Sequence, residues 1–346
     1  MDGQILRRAA QTGKSMAPKR NARGMQRWNS DRIVFCFAAA ACAILAFSAQ
    51  PAAAQPPSSV TSILQTIATA RSAAQPVSLY QATAYFEAPN WTRDGRSLIF
   101  DEAGSIMTIP ATGGQPTGIN VGAATRCNGS HGLSPDGKML AITCSMVGLK
   151  GAHVFLVPID GGEPKQVSHI DGSYWHSWSP DGKTILFTHP ENGSLNIFSV
   201  AVDGSNEHAI TSGSGVSDDP DFSPDGKYIY FCSDRSGTTQ IWRMKPDGSS
   251  PEQITSDERV NWTPHVSPDG SQMVYISYEK GTTGHPANRP IILRLMNMKD
   301  RSTRDLVALT GGSGTMNVPS WAPDSKHLAF VGYRLANEPT SGTQAK

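Results

Sequence analysis

The chain has 346 residues, 38% of them hydrophobic and 17% charged, an ordinary globular composition that fits one large domain or two average ones. The net charge of +1 hides an asymmetry, because eight of the 30 basic and only two of the 29 acidic residues fall in the first 54 positions, which leaves the remainder at net −5. A body of that charge has no footprint for nucleic acid.

In chain order, the basic leader runs into fifteen apolar residues, Ile33 to Phe47, and then into Ala52-Ala53-Ala54-Gln55. Basic stretch, short apolar run and small-residue site are the parts of a signal peptide in their usual order. A membrane span needs roughly 20 apolar residues, so this run is too short for a comfortable one. The expected cut before Gln55 leaves a mature chain of 292 residues with no membrane span, in the periplasm or secreted. The basic stretch is long for its role, and Met16 and Met25 offer later starts. The organisation expected is a leader at 1–54, one domain at 55–336 and a polar tail at 337–346.

Beyond the leader the dominant signal is a repeat. Trp-Thr-Arg-Asp-Gly stands at 91–95, Leu-Ser-Pro-Asp-Gly-Lys at 133–138, Trp-Ser-Pro-Asp-Gly-Lys at 178–183, Phe-Ser-Pro-Asp-Gly-Lys at 222–227, Val-Ser-Pro-Asp-Gly-Ser at 266–271 and Trp-Ala-Pro-Asp-Ser-Lys at 321–326. Anchored on Thr92, Ser134, Ser179, Ser223, Ser267 and Ala322, the steps are 42, 45, 44, 44 and 55 residues, the period of a four-stranded propeller blade. Each copy has a short segment ending in a bulky apolar residue, a turn in which Pro fixes φ and Gly accepts positive φ, and a β run such as Tyr228 to Cys232. The fold class is therefore all-β, a six-bladed β-propeller with four-stranded blades and no helix demanding a second domain.

The ends of the repeat predict how the ring closes. The sixth copy has residues for strands a and b only, before the tail, whereas Val60 to Thr69 and Val77 to Thr83, upstream of the first copy, read as two β-capable runs. Supplying strands c and d of blade six from the N-terminus completes that blade and hides its edge. A short helix over Val60 to Arg71 is the competing reading. The 55-residue step is accounted for by an insertion, Glu279 to Pro290, between strands b and c of blade five.

These repeats resemble the TolB-like periplasmic propellers, whose WD-repeat-like blades carry a Ser-Pro-Asp-Gly-Lys turn; the resemblance runs from about Val60 to Tyr333. It implies the fold and an envelope location, and leaves function open, because the same repeat occurs in binding proteins, peptidase propellers and lyases. Full-length TolB carries an additional N-terminal α/β domain, so the full Tol-Pal role is not expected of this chain. Oligogalacturonate lyases share the turn and are similar in being propellers with histidines near the axis that hold a divalent metal, an analogy that transfers no residue.

Strand a of each blade lines the channel, so chemistry is sought just before each turn. Those positions hold Glu87 and Asn90, Asn128 and His131, Tyr174 and His176, Asp218, Asp219 and Asp221, Asn261 and His265, and Asn317. His131 and His176 both lie three residues before their anchors, and His265 two before its own. Three imidazoles with an acid are a donor set for Zn or Mn, with Glu87 or Asp219 as base. The alternative is that the histidines bond to backbone in a crowded channel and the aspartates cap turns. His285 sits on the inserted loop, either over the channel mouth or as a plain loop residue. Trp91, Trp178 and Trp321 directly precede the anchors and read as packing between blades.

Cys127, Cys144 and Cys232 remain after the leader, an odd number. Cys127 and Cys144 flank one turn at nearly equal distances, which allows either a cross-strand disulfide or buried free thiols. No Gly-x-Ser-x-Gly elbow, phosphate-binding loop, HExxH or CxxC is present. The leading expectation is a monomeric propeller binding an envelope protein or saccharide ligand at its channel face. The alternative is a metal-dependent enzyme acting on saccharides, a lyase or hydrolase, with His131, His176 and His265 as ligands.

Overall fold

The Ser-Pro-Asp-Gly turn is built from its own side chains. In the third copy the Ser179 hydroxyl donates to Asp181 Oδ1 at 2.6 Å and accepts the Thr184 N–H at 2.9 Å, and the Lys183 N–H donates to Asp181 Oδ1 at 3.1 Å. Gly182 takes φ +70°, the left-handed corner that a Cβ disfavours. The same Ser-to-Asp bond recurs at Ser134, Ser223 and Ser267. Each turn thus hands strand a to strand b in a set register.

The structure, a computed structural model, describes residues 60–70, 74–213 and 215–336. The expected leader and tail lie outside these residues. The chain begins with β1 (Val60–Ala68) and β2 (Val77–Ala82). Blade one follows with β3 (Phe86–Trp91), β4 (Ser97–Glu102), β5 (Ser105–Pro110) and β6 (Thr117–Gly118), and blade two with β7 (His131–Leu133), β8 (Met139–Cys144), β9 (His153–Pro158) and β10 (Lys165–Gln166). Blade three has β11 (Tyr174–Trp178), β12 (Thr184–Glu191), β13 (Ser194–Ala201) and β14 (His208–Ala209), and blade four β15 (Ser217–Phe222), β16 (Ile229–Ser233), β17 (Gln240–Met244) and β18 (Glu252–Gln253). Blade five has β19 (Val260–Val266), β20 (Gln272–Tyr278), β21 (Arg289–Asn297) and β22 (Thr303–Gly311), and β23 (His327–Leu335) ends the described chain. Five sheets are antiparallel four-stranded meanders in chain order, and no helix occurs among the described residues.

Blade six closes the ring as expected. β1 pairs with β23 over nine residues, from Val60 opposite Leu335 to Ala68 opposite His327, and β2 pairs with β1 on the outside. The Trp321–Leu328 bridge supplies the inner strand. The competing helix over Val60 to Arg71 is therefore not formed: alternate residues Val60, Ser62 and Leu64 are buried, Ile67 follows after the register shift at Leu64 and Gln65, and pairing satisfies the backbone on both sides. Blades six and one are also tied by Ser320 Oγ donating to Pro89 O (2.8 Å), Ala88 N–H to Gly314 O (2.8 Å) and Tyr333 Oη to Phe86 O (3.1 Å).

The core lies between blades as apolar wedges, for example Leu64, Phe86, Phe100 and Val331 between blades six and one. Trp178 and Trp321 are buried and donate their indole N–H to the neighbouring strand a, at Gly132 O (3.0 Å) and His265 O (2.9 Å), so they pack between blades. Cys127 and Cys144 form a disulfide, and Cys232 is free and buried.

Strand a is bent in most blades. Ala88, Asp219 and Thr263 adopt φ of 57°, 49° and 58°, each directly before a proline, and the ladder slips there between Glu87 and Asn90, Asp218 and Asp221, and Trp262 and His265. Proline removes a ladder donor and bars its predecessor from the right-handed helical region, and a left-handed residue with a bulge is the solution taken. Each such residue costs about 1–3 kcal/mol.

Candidate functional site

The bulge in β15 turns two consecutive carboxyls toward blade three. The Asp219 N–H donates to Asp218 Oδ1 at 2.8 Å, and both side chains are buried. Facing them is His176 on β11, where the ladder also slips, between Trp175 and Ser177. His176 Nε2 lies 3.5 Å from Asp218 Oδ1, and its Nδ1 3.6 Å from Asp219 Oδ1. Nε2 also meets Thr188 Oγ1 at 2.9 Å. One ligand atom from each of His176, Asp218 and Asp219 falls within 4.8 Å of the others, the one grouping of three such residues among the described residues.

Burial sets the charges. Desolvation pushes His176 down to about 4, Asp218 opposing and His265 and His285 reinforcing, so the ring is neutral at pH 7. Burial and then Asp218 hold the Asp219 carboxyl well above the usual range. The Cys232 thiol, 3.7 Å from Asp219 Oδ2, is pushed up by burial and these two acids, and its Sγ accepts the Thr263 N–H at 3.1 Å. A neutral imidazole beside two adjacent buried carboxyls is an N/O donor set suited to a divalent cation such as Zn or Mn. A cation there would relieve the repulsion between the two carboxyls.

The other proposed residues fall elsewhere. His131 is fully buried, neither ring nitrogen has a hydrogen bond of good geometry, and burial takes it down to about 4 against the backbone of Ile99 and Asn128, which acts in the raising direction. His265 Nδ1 pairs with Asp221 Oδ2 at 3.1 Å and its Nε2 meets Met316 O at 3.2 Å. The three imidazoles expected to share one ion therefore do not form one group. The reason lies in the ladders: β7 pairs with β8 without a slip, β11 has one, and equal distances from the turn then point His131 and His176 differently.

Glu87, offered as a base, is on blade one. Its Oε1 accepts the Gly129 N–H at 2.8 Å; burial raises its carboxyl, opposed by that bond and by Tyr85. Asp101 stands opposite it in the ladder, taken up to about 8 by burial and then by Glu87, with Oδ2 buried and unpartnered. Asn128 accepts the Ser130 N–H (3.0 Å) and Asn90 donates to His131 O (2.9 Å), the Asn90 and Asn317 Oδ1 atoms being buried without partners. Asn261 is fully engaged by Gln240, Asp257 and Ser277 and presents nothing to a ligand. Tyr174 begins β11, half-buried, its hydroxyl raised by burial. His285 does reach the site: its ring lies 4.5 Å from that of Trp262, and Nε2 is 3.9 Å from Asp218 Oδ2.

Thr188, Cys232 and Trp262 were not anticipated. Thr188 and Cys232 each stand nine residues after their anchors, an offset that would have flagged strand b as the second wall of the site. Two cavities of about 570 and 580 Å³ open at the turn end, one between blades four and five beside Arg243, the other between blades two and three beside Trp178; neither includes a member of the acid–imidazole group.

The TolB beta propeller domain family matches residues 130–334. An uncharacterized protein of Agrobacterium fabrum is 40% identical over 256 residues, 74% of this chain and 87% of that one. A structure from Agrobacterium tumefaciens, solved as a candidate TolB, superposes with a TM-score of 0.76 at 38% identity over 80% of this chain and 99% of that one. TolB from Acinetobacter baumannii shares the fold at 20% identity and a TM-score of 0.50, over 66% of this chain and 53% of that one.

Proposed function

The chain belongs to the TolB β-propeller family, and from that premise we propose that it works in the periplasm as a binding propeller, taking an envelope protein or a saccharide ligand at the channel mouth where strands a begin. A divalent cation held by His176, Asp218 and Asp219 forms part of that site. The observation that carries the reading is the burial of two adjacent carboxyls against a neutral imidazole, on strands from two neighbouring blades. Buried like charges are costly without a counter-ion, and strained backbone such as Asp219 clusters at binding sites. The Cys127–Cys144 disulfide supports an oxidising compartment, as the basic and apolar leader does.

A protein partner is supported by the β8–β9 connection, which leaves the same end of the propeller with Val147 94% and Leu149 37% exposed, next to the disulfide at Cys144. The saccharide-acting enzyme is the weaker reading, since it calls for His131, His176 and His265 on one ion, and the donor geometry favours one imidazole with two carboxyls. Elemental analysis of protein purified without chelator tests the proposal. It expects about one divalent ion per chain in the parent and under about a tenth of that in a His176→Ala, Asp218→Asn double variant of unchanged circular dichroism. No ion in either protein would leave the channel mouth as a polar surface only.

A further inference from the structure

The inserted connection of blade five ends its course against the donor group. Its head is fixed at two points: Tyr278 Oη donates to Pro286 O at 3.2 Å, and Pro286 O sits so close to Gly312 that a Cβ there would lie 2.1 Å from it. Between them these contacts set His285 on the face of Trp262, half-buried, with Nε2 turned to the Asp218 oxygen opposite the one that meets His176. Neither ring nitrogen of His285 has a hydrogen bond among the described residues, and Asp218 is the carboxylate it pairs with. Behind the head the segment turns on itself, Thr282 Oγ1 donating to Glu279 O at 2.8 Å, and stands clear of its neighbours. Gly281 and Gly284 take φ of 83° and 64°, and a Cβ at either would meet nothing within 4 Å.

We propose that the segment 279–288 is a strap that delivers His285 as a fourth ligand to the cation held by His176, Asp218 and Asp219. This rests on the cation reading above. Ligand atoms on a four-coordinate ion with bonds near 2.1 Å lie roughly 3.4 Å apart, so the 3.9 Å between His285 Nε2 and Asp218 Oδ2 is already close to what the ion needs, while His285 stands outside the group whose atoms all lie within 4.8 Å and its ring must move inward by more than about an ångström to join it. Asp218 stands between the two imidazoles, Oδ1 toward His176 and Oδ2 toward His285, and Trp262 backs the His285 ring. Because the ion binds better when the strap is down, the strap stays down better when the ion is bound, the reciprocity any coupled pair of equilibria obeys.

The test measures the Kd for Mn²⁺ and Zn²⁺ in the parent and in His285→Ala, together with the rate of trypsin cleavage at Lys280–Gly281 with and without the metal, circular dichroism confirming that both fold alike. The variant should keep one site per chain with affinity weakened about 10- to 100-fold, and metal should slow cleavage in the parent but leave the variant's rate unchanged. Equal affinities, or metal protection that survives in the variant, would overturn the strap and leave the three-donor site standing. Failure of the parent to bind either metal would overturn the site and the strap with it.

Discussion

At the scale of single residues the channel is organised by which polar atoms are buried and which of them find a partner. Asp101 is the sharpest case for pH. Its carboxyl is taken from an ordinary 3.8 to about 8, so between these values the folded chain holds a proton that the unfolded chain releases. Its contribution is fully present below the ordinary value and is lost as pH rises through about 8. Asp101→Asn keeps the acceptor for the Gly104 N–H and turns an amide toward Glu87, so it should remove this slope. Thermal melts should show the variant gaining on the parent between pH 5 and 8.5, by on the order of 5 °C at the alkaline end; parallel curves would mean that Asp101 is already ionised in the fold. The residues also show where sequence reading stops. Equal offsets from the turn do bring neighbouring blades together, as His265 and Asp221, both two before their anchors, meet at 3.1 Å. The same rule fails for His131 and His176, because a bulge in one strand and its absence in the next is a property of the ladder that no offset records.

At the scale of elements the legible parts were those with local causes. Six phased turns, each closed by its own Ser and Asp, placed strands a and b, and two spare β runs upstream matched two missing strands downstream. Which way the inserted loop would lie was not legible, since its resting place on Gly312 and Trp262 depends on chain contributed by blade six and on the start of β19. The closure has a direct consequence for stability. β1 is inner to β2 and holds β23 along its whole length, so Leu64, fully buried against Phe86, Phe100 and Val331, secures two blades. Leu64→Ala should cost about 2–5 kcal/mol, and deleting residues 55–83 should lower the melting temperature far more. Urea denaturation checks both, and a deletion variant that unfolds with the parent would refute closure by the N-terminal strands.

At the scale of the molecule, five four-stranded blades and a sixth shared between the two ends of the described chain make a ring whose two mouths differ. The turn end is a repeated surface of Ser-Asp bonds. The other end gathers the acid–imidazole group, the inserted loop, the disulfide and the exposed Val147, and it is the end at which the proposed binding would take place. The measurement that tests this most directly is an anomalous difference map from crystals grown with Mn²⁺. The account predicts one peak about 2.0–2.3 Å from His176, Asp218 and Asp219, with His285 drawn toward it. Manganese bound elsewhere, or no peak while those three side chains keep the positions described here, would contradict it.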